Sequence, residues 1–218
     1  MIIDARLINS SSMIVAGPTQ AGKTTFVHGL LNSKHLVFAS QPISQIYWVC
    51  SEIPINKRVD CTYIAGIPEE EGFNFVKHNS IVVIDDLMQE AKDSLHITNL
   101  FTKITHHRNC FVIFITQNYF TQSSNEITRR RNCQYVVLFK NPADTSQIRL
   151  IASKMFPDNR HFLSKSFKDA VSRSHGYLLL DLRQETLDDL RVRTNILPHE
   201  LPMIVYKQSI CDKKKIYI

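Results

Sequence analysis

The sequence of 218 residues predicts an α/β protein with a mostly parallel central sheet, helices flanking that sheet, and a hairpin of strands at its C-terminal edge. Short apolar runs, of the kind found in strands buried on both faces, alternate along the chain with amphipathic helical segments. Such alternation is typical of parallel sheets, because parallel strands need a crossover that is usually a helix. A glycine-containing loop also joins the first apolar run directly to the first helix, as in many proteins of this class.

The individual elements follow from the same patterns. Strands are predicted where β-branched and aromatic residues form short apolar runs, over 12–17, 46–50, 62–65, 80–85, 111–116 and 134–140. The C-terminal hairpin is predicted from two further runs, 177–182 and 190–194. Helices are predicted where apolar residues recur every three or four positions, over 23–33, within 87–107, from a cap at Asp144 to Lys154, and over 159–172. Pro68, followed by acidic residues, indicates one more helix start.

Residues 17–24 fit the pattern G-x-x-x-x-G-K-[ST], the phosphate-binding loop. The loop lies between the apolar run Met13–Ala16 and a helix with Phe26 and Leu30 on one face, and this context argues against a chance match. Backbone N–H groups and the positive end of the helix would hold the phosphates of a nucleoside triphosphate. The candidate nucleotide-binding residues are Gly17, Pro18, Thr19, Gln20, Ala21, Gly22, Lys23, Thr24 and Thr25.

Three side chains at the end of this loop have specific predicted contacts. The Lys23 ammonium is expected at the β- and γ-phosphates, and Thr25 is expected near the α-phosphate. The Thr24 hydroxyl is a predicted ligand of Mg²⁺, which prefers hard oxygen donors. The motif therefore predicts a P-loop NTPase fold with ATP and Mg²⁺ as cofactors.

A second apolar run, Ile81–Ile84, ends in two carboxylates. Because a charge is costly inside a core, these acids are expected at the C-terminal end of the strand, where open α/β sheets bind ligands. Asp85 is assigned to Mg²⁺, and Asp86 is the candidate for polarising the attacking water, with Glu90 as a weaker alternative. Capping of the next helix is the alternative role for both Asp86 and Glu90.

Gln117 follows a third buried run, Phe111–Thr116. A neutral amide at a strand tip beside the triphosphate can donate to the γ-phosphate and accept from the water, so Gln117 is predicted to sense the nucleotide state. Asn is common in turns for structural reasons alone. A structural role and a functional role are therefore equally compatible with Asn118.

Three consecutive arginines, Arg129, Arg130 and Arg131, precede another buried run. Phosphoryl transfer needs a cation near the charge that develops in the transition state, and one of these side chains is predicted to supply it to a neighbouring subunit. A solvated basic loop and a DNA contact are the alternatives. The sequence does not choose among the three arginines.

The composition is that of an ordinary globular protein, with 44% hydrophobic and 21% charged residues. No apolar run approaches the roughly 18 residues of a membrane span, and no secretory leader is expected at the N-terminus. Five widely spaced cysteines without a C-x-x-C pair indicate reduced thiols rather than a disulfide framework or a zinc site. The net charge of +6 is compatible with a polyanionic partner without requiring one.

The set of motifs resembles the genome-packaging ATPases of polinton/maverick elements, adintoviruses and related small double-stranded DNA viruses, within the FtsK/HerA superfamily and alongside the poxvirus packaging ATPase. The resemblance spans roughly residues 10 to 195 and is carried by the phosphate-binding loop and five further segments: Val83–Met88, His106–Asn109, Thr116–Asn118, Tyr135–Pro142 and Gly176–Asp181. The series Asp-Asp-Leu-Met, His-His-Arg-Asn and Gln-Asn is more specific than the loop. For His106–Arg108, a subunit or DNA contact is one interpretation and a helix C-terminus, which favours cations, is the other.

The resemblance implies an ATP-driven ring, usually a hexamer, that threads double-stranded DNA into a preformed capsid at the capsid vertex. Lys23 and Thr24 would then hold the phosphates and Mg²⁺, Asp85 and Asp86 would form the acidic motif, and Gln117 would be the polar sensor. The expected location is the site of virion assembly in the host cell, in nucleus or cytoplasm, or in association with the virion. Residues 1–195 are expected to form the ATPase domain and residues 196–218 a flexible, basic C-terminal tail.

Two other functions remain open at this stage. The chain could be an ATPase whose nucleotide state controls assembly as a scaffold without pumping DNA. It could also be a kinase of small metabolites, although no dedicated arginine-rich lid segment is found.

Overall fold

The computed structural model describes residues 4–39, 42–68, 72–85, 87, 94–120, 123–200 and 202–208, and the backbone of 214–217. The strands are β1 (Ser11–Ala16), β2 (Gln45–Cys50), β3 (Cys61–Ala65), β4 (Ser80–Asp85), β5 (Phe111–Thr116), β6 (Tyr135–Phe139), β7 (Tyr177–Asp181), β8 (Val192–Thr194), β9 (Ile204–Lys207) and β10 (Lys214–Tyr217). The α-helices are α1 (Lys23–Asn32), α2 (Lys34–Val37), α3 (Leu95–Asn99), α4 (Thr105–His107), α5 (Ser124–Arg131), α6 (Ser146–Met155) and α7 (Arg160–Ala170). A π-helical segment (Leu100–Ile104) joins α3 to α4, and 3₁₀ turns cover Asp188–Leu190 and Pro198–Glu200.

The chain divides into two compact units, each assembled from several stretches of the sequence. The first unit comprises Met1–Val15, Lys34–Thr116 and Thr121–Gln134. The second unit comprises Ala16–Ser33, Gln117–Phe120 and Tyr135–Ile218. The boundary therefore falls within β1, one residue before the phosphate-binding loop.

The first unit contains the parallel strands, in the order β1-β5-β4-β2-β3. Strand β2 pairs in parallel with β3 on one side and with β4 on the other, and β4 pairs in parallel with β5. All six residues of β5 and the first five of β4 are buried, as the uninterrupted apolar runs predict for strands covered on both faces. The predicted bounds of β4 and β5 are those of the structure.

One continuous helical segment of the first unit precedes β5. It begins at α3, where the Ser94 hydroxyl accepts a hydrogen bond from the Ile97 backbone N–H at 3.3 Å. The π-helical turn that follows buries Leu100 and Phe101 in the core. This segment confirms the end of the helical region predicted within 87–107, whereas residues 86 and 88–93 lie outside the described residues. Residues 72–75 form a turn, so the described residues after Pro68 do not continue the predicted helix.

The second unit contains antiparallel strands in chain order, β6-β7-β8-β9-β10. The predicted hairpin is present as β7 and β8, but it continues into two further strands. Residues 204–207 and 214–217, which the sequence assigned to a flexible tail, are therefore paired strands. Strand β9 is held by buried Val205 and by Tyr206, whose hydroxyl donates to the Asp169 carboxylate at 2.6 Å.

Helix α1 packs in the second unit through the apolar face that the sequence predicts. Phe26, Val27, Leu30 and Leu31 are buried. The Phe26 ring lies 4.6 Å from the Tyr177 ring, centroid to centroid, and 6.1 Å from the Phe139 ring. Helix α1 therefore contacts both β6 and β7, and the hydrophobic contact holds the end of the phosphate-binding loop against these strands.

The cysteines and the helices agree with the compositional expectations where the structure describes them. Cys50, Cys61, Cys110 and Cys133 are thiols rather than disulfides, and Cys211 lies outside the described residues. Burial raises the pKa of the Cys110 thiol to about 12. No helix in the described part of the chain is long and apolar enough to span a bilayer.

A buried ionic cluster joins β7 to β8 in the second unit. The Asp181 carboxylate accepts hydrogen bonds from Arg193 Nη2 at 2.7 Å, from Arg183 Nη2 at 2.9 Å and from the Thr186 hydroxyl at 2.9 Å. Asp181 and Arg193 are both buried, and this burial lowers the pKa of the Arg193 guanidinium below its usual range. Removal of the carboxylate would leave a buried cation without its counter-charge.

We expect Asp181→Ala to lower the free energy of unfolding by about 3–5 kcal/mol, the cost of breaking a buried pair by removing one partner. Urea denaturation followed by circular dichroism measures this change. Asp4→Ala is the matched control, because the Asp4–Arg6 pair is about half exposed and water screens it. Equal shifts of the two denaturation midpoints would contradict a structural role for the cluster.

Candidate functional site

The phosphate-binding loop of the second unit depends on glycine at both ends. A Cβ atom on Gly17 would lie 2.6 Å from Phe139 Cβ, so only glycine permits this approach to β6. Gly22 has φ +100°, a conformation that other residues rarely adopt, and a Cβ there would lie 3.0 Å from His175 Nδ1. Between them, the Ala21 N–H donates to the Pro18 carbonyl at 3.2 Å and closes the loop. The loop is thus compact, and its two ends contact different elements.

Helix α1 starts at Lys23, immediately after the loop, with no acidic residue in its first turn. Its ten residues direct the positive end of the helix dipole into the loop. Thr24 and Thr25 are exposed on this first turn, so their hydroxyls can reach a ligand. A helix start of this kind, with no acidic residue, suits an anion, and phosphate binding at this position stays a prediction.

The Lys23 side chain folds back over the loop. Its ammonium donates to the Gly17 carbonyl at 2.7 Å and to the Pro18 carbonyl at 2.8 Å. A positive charge is therefore held against the same loop whose backbone N–H groups would bind phosphate. The assignment of Lys23 to the β- and γ-phosphates stays a prediction.

Gln117 lines a pocket of about 350 Å³ together with Ala16 and Gly17. The other walls come from the segment 138–149 and from α7, and all of these residues belong to the second unit. Gln117 is exposed at the start of the loop that follows β5. The structure thus brings the predicted sensor and the first residue of the phosphate-binding loop to one pocket.

Gln147 connects the sensor loop, residues 117–120, to the start of α6. Its carbonyl accepts from the Tyr119 backbone N–H at 3.0 Å. Its amide group donates to Asp144 Oδ2 at 3.1 Å and lies 3.4 Å from Asn118 Oδ1. No local motif contains Gln147, which is 30 residues from Gln117, so this role could not be predicted from the sequence.

A second pocket, of about 340 Å³, also borders the phosphate-binding loop and shares Lys140, Pro142 and Val171 with the first. Residues 18–21 form one wall, and residues 171–176, between α7 and β7, form the other, with Lys140 and Pro142 at the edge. His175 lies directly against the loop, with Nδ1 3.2 Å from the Ala21 carbonyl oxygen. The sequence did not single out His175, since the contact joins residues 154 positions apart.

The acidic motif belongs to the first unit. Asp85 is half-buried at the C-terminal end of β4, as predicted, opposite Cys50 on the neighbouring strand. Burial, and then the nearby Asp85 carboxylate, raise the pKa of the Cys50 thiol. Asp86 and Glu90 lie outside the described residues.

The donors assigned to Mg²⁺ are chemically suited to that ion. Among the residues that the structure describes, no group of three or more His, Cys, Asp or Glu side chains is placed to hold a metal. A P-loop magnesium site needs no such group, because water and phosphate oxygens complete the coordination of one hydroxyl and one carboxylate. Thr24 in the second unit has an exposed hydroxyl and Asp85 in the first unit has a half-buried carboxylate, and each by itself is a hard oxygen donor of the kind that Mg²⁺ prefers.

The three consecutive arginines form the last turn of α5 rather than a loop. Arg129 is buried, with Nη1 3.4 Å from the Thr98 hydroxyl and its guanidinium carbon 5.6 Å from the centre of the Phe114 ring. Arg130 is half-buried and Arg131 is exposed. Burial of Arg129 leaves Arg130 and Arg131 as the two candidates whose side chains reach the surface.

His106 and His107 are exposed in the short helix α4, which ends at His107. His106 Nδ1 lies 3.2 Å from the Ser10 hydroxyl, and Arg108 Nη1 donates to the Val76 carbonyl at 3.1 Å. The position at a helix C-terminus agrees with the structural interpretation of this basic segment.

No protein-family model and no curated protein matches the sequence. Solved structures nevertheless resemble it. The genome packaging NTPase B204 from Sulfolobus turreted icosahedral virus 2, in complex with ATP-gammaS, has a TM-score of 0.54 at 10% identity, over 88% of this chain and 97% of that one. Its complex with sulfate has a TM-score of 0.56 at 9% identity, over 88% and 96% of the two chains.

B204 from Sulfolobus turreted icosahedral virus, described as the DNA-packaging ATPase, has a TM-score of 0.53 at 9% identity, over 86% of this chain and 98% of that one. At such low identity the likeness shows the fold alone. The predicted fold class is confirmed: the chain has a mostly parallel α/β fold of the P-loop NTPase type, with antiparallel strands at its C-terminus.

Proposed function

We propose that this protein is an ATP-hydrolysing motor that moves double-stranded viral DNA into a preformed capsid. The observation that carries the proposal is the phosphate-binding loop itself, with Lys23 held over it at the N-terminus of α1. The loop lies in a fold shared with packaging NTPases, one of which is in complex with ATP-gammaS.

The residues of the loop bind and orient the triphosphate in this proposal. The loop N–H groups and the start of α1 hold the phosphates, and the Lys23 ammonium exchanges the Gly17 and Pro18 carbonyls for β- and γ-phosphate oxygens. Thr24 and Asp85 are the proposed ligands of Mg²⁺, which neutralises developing charge when it is bound. Asp86 is the proposed group that polarises the attacking water.

Gln117 is the proposed sensor of the γ-phosphate. Its loop is held by two contacts with α6, through Gln147 at the first turn and through Lys154, whose ammonium lies 5.3 Å from the centre of the Phe120 ring. Loss of the γ-phosphate would release Gln117 and shift the loop together with α6. A motor needs such a link, because work requires binding surfaces that differ between nucleotide states.

The partners follow from the proposed activity. A ring of identical subunits, by analogy a hexamer, would surround DNA, and Arg130 or Arg131 would complete the site of the adjacent subunit. The net charge of +6 favours a polyanion. The capsid vertex is the proposed docking partner, and the protein would act where virions assemble in the host cell or remain with the virion.

ATP hydrolysis measured with and without double-stranded DNA tests the motor. We expect DNA to raise the rate several-fold, and we expect the stimulation to fall when salt rises from about 50 to about 200 mM, because phosphate contacts release counterions. Lys23→Ala should lower kcat about 100-fold or more, since it removes the charge at the β- and γ-phosphates.

Lys165→Ala is the matched control, because Lys165 is an exposed lysine on α7 and should leave the basal rate unchanged. A rate that DNA does not alter at low salt, at concentrations where the ring assembles, would exclude the motor. If Lys23→Ala then abolished assembly, the protein would be a nucleotide-dependent scaffold. A phosphorylated small-molecule product would identify a kinase.

Gln147→Ala tests the link between the sensor loop and α6. We expect kcat to fall about 10-fold to 100-fold with a much smaller change in KM, because Gln147 holds the loop that positions Gln117 for the transition state. Gln147→Glu, which keeps the shape but cannot donate to Asp144, should show a similar loss. Gln184→Ala is the exposed control. A rise in KM alone, or a loss explained by unfolding, would remove Gln147 from the mechanism.

Mixing experiments test the arginine in trans. The proposed cation belongs to Arg130 or Arg131, and the variant that removes it, Arg130→Ala or Arg131→Ala, should be inactive alone. That variant should recover ATPase activity when it is mixed with Lys23→Ala protein, because a mixed ring contains some complete sites. Arg129→Ala should instead lower the unfolding midpoint and give no rescue, since Arg129 is buried. Absence of rescue with both surface arginines would exclude this helix as the source of the cation.

A further inference from the structure

The phosphate-binding loop forms one wall of the second pocket, and residues 171–176, which the mechanism described above does not use, form the other. We propose that this pocket binds the nucleoside end of the nucleotide and that His175 Nε2 accepts a hydrogen bond from an N–H or O–H group of that nucleoside. This inference rests on the proposed nucleotide hydrolysis and identifies a further binding residue for the same site.

The direction of the bound nucleotide follows from the two pockets that border the phosphate-binding loop. Gln117 and Gly17 line one pocket, at the start of the loop. His175 contacts the other end, where its ring lies against Ala21 and Gly22. Since Gln117 is assigned to the terminal phosphate, the phosphate chain leads away from Gln117, and the nucleoside emerges on the side of His175.

The tautomer of a neutral His175 ring follows from its partner. A backbone carbonyl oxygen can only accept, so the ring nitrogen that lies 3.2 Å from the Ala21 oxygen must carry the proton. In the neutral ring the other nitrogen, Nε2, is then an acceptor. His175 is exposed and lines the pocket, so this acceptor is available to a ligand.

The turn that carries His175 is held in place before any ligand binds. His175 has φ 57°, in the left-handed region, and the next residue leaves no room for a side chain, because a Cβ on Gly176 would lie 2.4 Å from the Ala170 carbonyl oxygen. Arg173 in the same turn donates to the Asn195 side chain and lies 3.4 Å from Glu200 Oε1. A hydrogen bond to an ordered ring costs less conformational entropy on binding than one to a mobile side chain.

The size and lining of the pocket fit a nucleoside. Its volume of about 340 Å³ is in the range of small-ligand sites. Two serines and two cations line it, Ser172, Ser174, Lys140 and Arg173, so it suits a polar ligand next to phosphates. Both ribose hydroxyls and the exocyclic amino group of adenine can supply the hydrogen that Nε2 accepts. The shared chemistry is a hydrogen-bond donor on the nucleoside.

Calorimetric titration of the full chain with ADP and, separately, with inorganic tripolyphosphate tests this assignment, in magnesium buffer throughout. His175→Gly suits the left-handed backbone, and His175→Asn is the second variant because Asn tolerates the same conformation. We expect each variant to weaken ADP binding about 3- to 10-fold, the range of one neutral hydrogen bond, and to leave tripolyphosphate binding unchanged. His161→Ala, an exposed histidine of α7, is the matched control.

The source of the donor is distinguished by two analogues. If the wild-type protein and His175→Gly bind 2′-deoxy-ADP equally, the ribose 2′-hydroxyl is the partner. If they differ on 2′-deoxy-ADP but bind GDP equally, the adenine amino group is the partner, because guanine presents an acceptor at that position.

Two results would overturn the inference while leaving ATP hydrolysis intact: equal weakening of ADP and tripolyphosphate, which would make His175 a support of the loop, or no weakening of either. A wild-type protein that binds neither compound would overturn the proposed function, and the inference with it. If the wild-type protein bound tripolyphosphate and ADP with the same affinity, the pocket would make no favourable contact with the nucleoside, and the inference would be wrong.

Discussion

The close fit of the phosphate-binding loop against β6 and the α7–β7 turn is the constraint on which the rest of the second unit depends. Gly17 can lie beside Phe139 only without a side chain, and Gly22 can face His175 only in a conformation that glycine tolerates. The Lys23 ammonium then closes the loop from within, on the carbonyls of Gly17 and Pro18. A larger residue at either glycine would force apart two packed elements. Such overpacking is destabilising, because packed interiors have little free volume.

A single amide explains how the sensor loop keeps its position. Gln147 uses its carbonyl on the Tyr119 N–H and its amino group towards Asn118 and Asp144. An amide has one acceptor and one donor group, so both ends of this side chain are occupied by the same connection. The first turn of α6 and the sensor loop are therefore linked by hydrogen bonds rather than by a salt bridge.

The parts of the molecule that the sequence predicts are those with local patterns. The runs that became β4 and β5 are fully apolar, and strands buried on both faces are read directly from such runs. The phosphate-binding loop was found because its glycines and Lys23 are neighbours in the chain. Strands β9 and β10 were missed, since a short apolar segment between charged and proline residues does not differ from a tail until its partner strand is known.

The contacts made over long sequence distances could not be predicted in the same way. His175 lies against Ala21 from 154 residues away, and nothing near His175 in the sequence indicates this partner. Arg129, Arg130 and Arg131 are neighbours in the sequence, so each is an equal candidate there for the cation supplied to an adjacent subunit. Helical geometry separates them, since successive residues point about 100° apart and only one of the three can face Phe114. The position of Asp86 remains a prediction.

The C-terminal strands have a physical role in the candidate site. The Asp181 cluster ties β7 to β8 at one end of the pair. At the other end the Thr194 hydroxyl donates to the Tyr177 carbonyl at 2.6 Å, and the Tyr177 hydroxyl donates to Glu200 Oε2 at 2.5 Å. The Tyr177 ring also packs on α1, one turn beyond the phosphate-binding loop. The strands that were expected to form only an edge hairpin thus hold the turn of His175 and the start of α1 in one rigid arrangement, which a preorganised anion site requires.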